Sequence, residues 1–189
     1  KLKNAVVKAD SKQFKDLRTK HESILLGDCI SDKVSFQDES LSKVLEDIKA
    51  TVWEPGDKFK HSVIFKDSRY DILLGGLHSN NPPMIVEEDE DYKIIDLDFG
   101  SYYPNLMINL GIYPEHLSEG FLSLFKRIVD QRLKAKADGD KITADALKIC
   151  INSIYGKLNF EHGWLLDSKA CYKVTLNGQL FLLMLIEEL

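Results

Sequence analysis

The amino-acid sequence predicts an α+β fold: a partial antiparallel sheet with packed helices and a projecting antiparallel helical hairpin. Three observations carry this. Short apolar and β-branched runs, bounded by turn residues, cluster between residues 60 and 98. Two long helical patterns, Ser118–Asp140 and Lys141–Lys157, follow one another with almost no link, so they must double back on each other. The chain of 189 residues, 44% hydrophobic and 29% charged, has the composition and length of one ordinary globular domain with room for a projecting element.

Residues 1–33 show no clear pattern. Ser35–Trp53 places Leu41, Val44, Leu45 and Ile48 at the i, i+3, i+4, i+7 spacing of an amphipathic helix, and Glu54–Lys58, with Pro55 and Gly56, ends it. Ser62–Phe65 and Tyr70–Leu74 read as two strands around a Lys-Asp-Ser-Arg turn. Gly75 and Gly76 allow a sharp bend or a close approach of another chain. Ser79–Pro83 is a loop. Met84–Val86 and Tyr92–Asp98 read as two further strands joined by an acidic run. Beyond Asp98 the pattern turns helical, with Pro104 in an early turn and Gly111 as a C-cap. Ser118 is the expected N-cap of the first hairpin helix, and Gly156 the expected break of the second. Asp167–Leu189 is mostly helical and runs to the end of the sequence.

Several function classes are disfavoured at once. Cys29, Cys150 and Cys171 are odd in number and far apart, which speaks against a disulfide framework or a cysteine zinc site and suits a reducing compartment such as the cytoplasm. The apolar run Leu180–Ile186 is too short to span a bilayer, and no N-terminal segment resembles a signal peptide. The net charge of −5 alone argues against nucleic acid, but its distribution does not. Residues 61–125 carry 3 basic and 11 acidic side chains, and residues 126–173 carry 10 and 6. An acidic centre followed by a basic segment is, in outline, a pattern for metal and phosphate; solvated helix faces are the plainer account. The chain begins at Lys1 and stops inside a helical pattern, so it reads as a piece of a larger protein.

Two segments carry chemistry. Asp96 and Asp98 sit on one face at the end of the apolar run Tyr92–Asp98. A carboxylate at the end of a buried strand needs water or a cation, and magnesium takes one or two carboxylates together with phosphate oxygens. For a bare D-x-D taken alone, a solvent-exposed edge with no role is the better account. On the hairpin, Arg132 and Lys136 share one helix face, as do Lys148, Asn152 and Tyr155 on the other helix. Two facing basic stripes can clamp a polyphosphate, with arginine available for bidentate contacts and lysine as a point charge.

Together these segments resemble family B DNA polymerases. "DFGSYYP" (Asp98–Pro104) is similar to motif A, D-x-x-S-(L/Y)-Y-P, and "KICINSIYG" (Lys148–Gly156), beginning fifty residues after Asp98, to motif B, K-x-x-x-N-S-x-Y-G. "RLKAK" (Arg132–Lys136) matches the R-x-x-x-K of the first fingers helix. The short gap and "GGLHS" (Gly75–Ser79) look more like the compact phage polymerases, protein-primed or crAss-like, which would place the protein in the cytoplasm of a bacterial host. The resemblance implies that Asp98 is a metal ligand, with the Phe99 carbonyl adding a second contact to magnesium or manganese. It implies that Ser101 and Tyr102 meet the triphosphate of a dNTP and that Tyr103 excludes a 2′-hydroxyl. Arg132, Lys136 and Lys148 would hold the β- and γ-phosphates. Asn152, Tyr155 and Gly156 would form the floor under the nascent base pair, and Gly75 and Gly76 would touch the template of a primer-template DNA. Asp96 matches no family ligand and is expected to be structural.

The implied organisation is residues 1–69 as a linker or N-terminal segment, 70–117 as palm with motif A, 118–157 as fingers with motif B, and 158–189 as the start of a second palm part. The D-T-D of motif C, which supplies the remaining carboxylates, is absent from the sequence, as is an exonuclease D-x-E. The expected partners are therefore the remainder of such a polymerase (exonuclease, motif C palm and thumb) and no membrane. The isolated chain should not extend primers, and it could dimerise to cover open sheet edges. Two other readings stand beside this one: a nucleotide-sugar glycosyltransferase using Asp96 and Asp98 as a D-x-D motif, and a non-catalytic nucleic-acid-binding module whose basic surface is Lys126–Lys157.

Overall fold

A computed structural model describes residues 18–189. The part of the 1–69 segment before residue 18 lies outside the described residues. Among the described residues the architecture is mixed α+β, with five α-helices and two small antiparallel sheets. The first sheet pairs β1 (Ile24–Leu25) with β2 (Val52–Trp53). Between them run a 3-10 turn (Leu26–Cys29) and helix α1 (Glu39–Ala50). The amphipathic expectation for α1 holds: Leu41, Val44, Leu45 and Ile48 are its buried face. Its start is set by Asp38, whose carboxylate accepts from the Ser40 and Leu41 amides, so the helix is shorter than the Ser35–Trp53 pattern.

The second sheet is β3 (Lys60–Phe65), β4 (Ser68–Leu73) and β5 (Leu77–Ser79), in that order. Lys66 and Asp67 both have positive φ, the geometry of a two-residue hairpin whose twist matches its strands. The Asp71 carboxylate, on β4, is held by Lys60 (2.8 Å), Ser62 (2.6 Å) and Arg69 (3.1 Å).

Four helices complete the described chain: α2 (Tyr102–Asn109), α3 (Gly120–Ala137), α4 (Lys141–Gly156) and α5 (Ser168–Glu188). Helices α3 and α4 form the expected antiparallel hairpin, reversing across Asp138–Asp140 with Gly139 at φ +77°. Helix α5 is the axis of the fold. Its residues Ala170 to Leu183 are nearly all buried, far beyond one amphipathic stripe, because neighbours surround it. Asn177 donates to the Cys29 carbonyl and accepts from the Ser31 amide. Gln179 exchanges two hydrogen bonds with the Leu73 backbone. Glu187 accepts from the Gln37 and Asp38 amides at the start of α1. Asp167, fully buried, caps α5 through the Ala170 amide, accepts from the Glu115 amide and pairs with His21 at 3.0 Å.

The structure corrects three expectations. Met84–Val86 and Tyr92–Asp98 are not strands: the segment is irregular, and Ile94, Ile95 and Leu97 are exposed. Alternation and β-branching make a segment fit for a sheet, but a strand forms only against a neighbour, and none of the described strands lies beside this one. Asp96 and Asp98 are thus not at the end of a buried strand. The segment's own bonds form a turn, in which the Asp89 carboxylate accepts from the Asp91 and Tyr92 amides. Second, Ser118 is not the N-cap of α3; that position falls on Glu119, with no side-chain cap, and the Ser118 carbonyl accepts from Phe121 instead. Third, Ser79, the first residue of the expected loop Ser79–Pro83, is the last residue of strand β5, because β4 offers it an open edge. No helix of the described chain is long and apolar enough to cross a membrane.

Candidate active site

The motif-like segments meet where α2, α4 and α5 converge. Ser101, just before α2, has φ +53° and ψ +48°, a left-handed conformation unusual for a serine. Its hydroxyl does not cap α2. It accepts instead from Arg132 Nη1 on α3 at 2.5 Å, so the turn after Asp98 is tied directly to the hairpin. Asn105 braces the same turn through the Gly100 carbonyl. Pro104, third residue of α2, sits where its missing amide hydrogen leaves no bond unmade.

Four aromatic rings then form a continuous run. Phe99 stacks on Tyr102 at 4.6 Å, Tyr102 on Tyr103 at 5.9 Å, and Tyr103 meets Tyr155 of α4 at 4.5 Å. Tyr102 donates to the Gly178 carbonyl of α5 at 2.7 Å. A β-carbon at Gly178 would lie 3.3 Å from Tyr103 and from Leu106, and 3.5 Å from Tyr102. Glycine inside a buried helix costs stability, so its presence here reflects the room that the two tyrosines need. Burial pushes the Tyr102 phenol up to about 12, with Tyr103 adding to the shift, and raises Tyr103 and Tyr155 as well. All three stay neutral near pH 7 and can serve as surfaces and hydrogen-bond donors, not as bases.

Three cavities line up along α4. The central one, about 380 Å³, is bounded by Ser101, Tyr102, Tyr103, Pro104, Asn152 and Tyr155. Toward the hairpin tip a basic cavity of about 370 Å³ contains Arg132, Lys136 and Lys148. Toward the other end a cavity of about 280 Å³ brings Gly75 together with Tyr155 and Gly156. A β-carbon on Gly75 or Gly156 would meet nothing within 4 Å; it would only take up open space. The structure therefore gathers nine of the residues singled out in the sequence: Ser101, Tyr102, Tyr103, Arg132, Lys136, Lys148, Asn152, Tyr155 and Gly156, with Gly75 beside them.

Three others stand apart from these cavities. Gly76 uses its carbonyl to accept from Leu73 within the β4–β5 bend. Phe99 joins only through its ring, and Asp98 is exposed on the irregular segment, three residues before Ser101. Asp98 and the Phe99 carbonyl could offer a cation one carboxylate and one carbonyl oxygen, which suits magnesium only if phosphate oxygens and water complete its shell. Among the described residues, one group of three ligand-type side chains lies within reach of a common ion: His21, Glu115 and Asp167. There, Asp167 is committed to the cap of α5 and to two further hydrogen bonds, so that cluster is a structural junction.

Sequence reasoning missed Gly178, Cys171 and Tyr172, which line or shape these cavities from α5. A glycine in the middle of the apolar helical run Val174–Leu183 was the available signal. No protein-family model, no curated protein and no solved structure matches this chain.

Proposed function

We propose that the chain is the palm-and-fingers portion of a DNA-directed DNA polymerase of family B type. In that role it binds a deoxynucleoside triphosphate opposite a template base and positions it for attack by a primer 3′-hydroxyl. The observation that carries the reading is the convergence of two segments fifty residues apart. Ser101–Pro104 and Asn152–Tyr155 wall one cavity, and Arg132 bridges that cavity to the cluster of cations. The central cavity has the apolar, ring-lined character suited to sugar and base, and the basic cavity the charge suited to phosphates.

Each residue then has a task. Arg132, Lys136 and Lys148 neutralise and orient the phosphate chain. Tyr103, wedged between Tyr155 and α5, is a fixed wall beneath the sugar. Tyr155 and Asn152 support the incoming base, and Gly75 and Gly156 leave space for the paired template base. Asp98 and the Phe99 carbonyl would hold magnesium or manganese, which when bound lowers the pKa of the attacking hydroxyl and stabilises charge on the leaving group. The remaining carboxylates, primer-template DNA contacts, exonuclease and thumb would come from the rest of such a polymerase. We place it in a phage that replicates in a bacterial cytoplasm.

Two experiments test the reading. In the parent polymerase, Asp98→Ala should lower nucleotide incorporation by roughly 10³-fold or more while DNA affinity stays within about twofold. Normal incorporation by that variant would remove the assignment. The 189-residue chain alone should show no primer extension, and measurable extension would overturn the incomplete-site proposal. The glycosyltransferase reading expects a doubly wound parallel sheet, whereas both described sheets are antiparallel. A non-catalytic nucleic-acid module gives no reason for the walled cavity, but its expectation is distinct: DNA affinity that survives Asp98→Ala and falls with salt, with no effect of Asp98 on catalysis in any context.

A further inference from the structure

The basic cavity at the hairpin tip contains one cation that no motif accounts for. Lys141, the first residue of α4, lines it with Arg132, Lys136 and Lys148. Of the carboxylates nearby, only Asp145 lines the cavity. Asp140 is turned away to cap α4 through the Thr143 amide. Among the described residues, none of the four cations enters an ion pair. Four like charges around one cavity repel each other and destabilise the fold, a cost that signals a polyanionic ligand. A second observation points the same way: Arg132 Nε is buried and has no hydrogen-bond partner. A buried guanidinium N–H left without an acceptor is unusual in a folded chain.

We infer that Lys141 is a chain-length determinant: it engages the terminal phosphate of a linear triphosphate, which Lys148 and Arg132 hold nearer the nucleoside end. The argument is one of reach. Lys141 and Lys148 are seven residues apart on α4, or roughly 10 Å along its axis. Arg132 marks the end of the cavity next to Ser101, and the Gly139 turn marks the other. A phosphate chain entering from the Ser101 end meets Arg132 and Lys148 first, and only its last phosphate arrives at Lys141. A diphosphate seated on the inner cations leaves Lys141 unengaged. The identity of the entering molecule rests on the nucleotide reading above, but the charge geometry does not.

The test uses inorganic chains, so that it stands apart from polymerase activity. The 189-residue chain is titrated by calorimetry with sodium tripolyphosphate and with pyrophosphate at low salt. Lys141→Gln should weaken tripolyphosphate binding about fivefold and pyrophosphate binding less than about twofold, as expected of one exposed charge contact. Lys148→Gln should weaken both. Lys134→Gln, the same charge change on α3 outside the cavity, should weaken neither. Lys141 is exposed and relieving its repulsion cannot weaken the fold, so its substitution should not lower the thermal melt. Equal losses on both chains for Lys141→Gln, equal losses for Lys141→Gln and Lys134→Gln, or no tripolyphosphate binding by the unmodified chain would each overturn the inference. Chain-length selectivity with no incorporation in the parent would retain this site and remove the polymerase reading; the converse result would do the opposite.

Discussion

Single residues in this molecule do their work by what they leave room for. Tyr103 can present one face to the central cavity because Gly178 lets its ring lie against α5. A valine at Gly178 would push two methyl groups into Tyr103 and Leu106, and neither ring nor helix can retreat far in a packed interior. Gly178→Val should therefore destabilise the chain by about 1–3 kcal/mol by urea unfolding. Unchanged stability would mean that α2 does not pack on α5 as described. Under the proposed function Tyr103 carries the sugar assignment. In a full polymerase containing this chain, that proposal expects Tyr103→Ala to raise ribonucleotide incorporation relative to deoxyribonucleotide at least about tenfold, a change of about 1.4 kcal/mol in discrimination. Equal selectivity in variant and wild type would assign the ring to packing alone. Of these two residues the motif exposed Tyr103 at once. Gly178 escaped because its reason lies on another helix, and a sequence pattern reports only the neighbours of its own element.

At the scale of elements, what could be read from the sequence followed where each element finds its partner. Helix α1 has its apolar stripe within its own span, and α3–α4 is a local hairpin, so both were legible, although the cap at Asp38 that sets the start of α1 was not read. The run Tyr92–Asp98 has equally good strand character but no described neighbour, and it stays exposed. Strand β4 shows the opposite case, with β3 and β5 on either side and the buried Asp71 paired with half-exposed Lys60 and Arg69 across the register. Lys60 foremost, then Ser62 and Arg69, hold the Asp71 carboxyl well below the usual carboxylate range. A group whose folded pKa lies below its unfolded value contributes stability above the unfolded pKa, near 4. That contribution is lost as pH falls through the window below it. The melting temperature should thus drop more steeply below about pH 4 in the wild type than in Asp71→Asn, which starts lower at pH 7. Parallel curves for the two proteins across pH 2–7 would show that Asp71 does not pair as described.

For the whole molecule, α5 decides how the chain holds together. The sequence showed α5 as a long apolar helix but could not show that it is a shared axis, because the contacts that make it one come from positions more than a hundred residues away. Gln179 binds the Leu73 backbone, Asn177 binds Cys29 and Ser31, and Glu187 binds the start of α1. Lys66 adds a further tie, donating to the Ile186 and Glu187 carbonyls at the end of the helix. The half before residue 80 and the half after residue 101 are therefore joined twice: by buried packing on α5 and by the exposed segment that connects them. That segment carries Glu87, Glu88 and Glu90 outside regular structure, where a protease finds the backbone without first unfolding the core. Limited digestion with a glutamate-specific protease should cut first among these residues and give two bands of similar size under denaturing conditions. The nicked chain should still elute as a single species in gel filtration, because the cut removes the covalent connection and none of the contacts to α5. Separation of the halves on nicking, or a first cut within α1 or α5, would show that the covalent link, and not the central helix, holds the two halves in register.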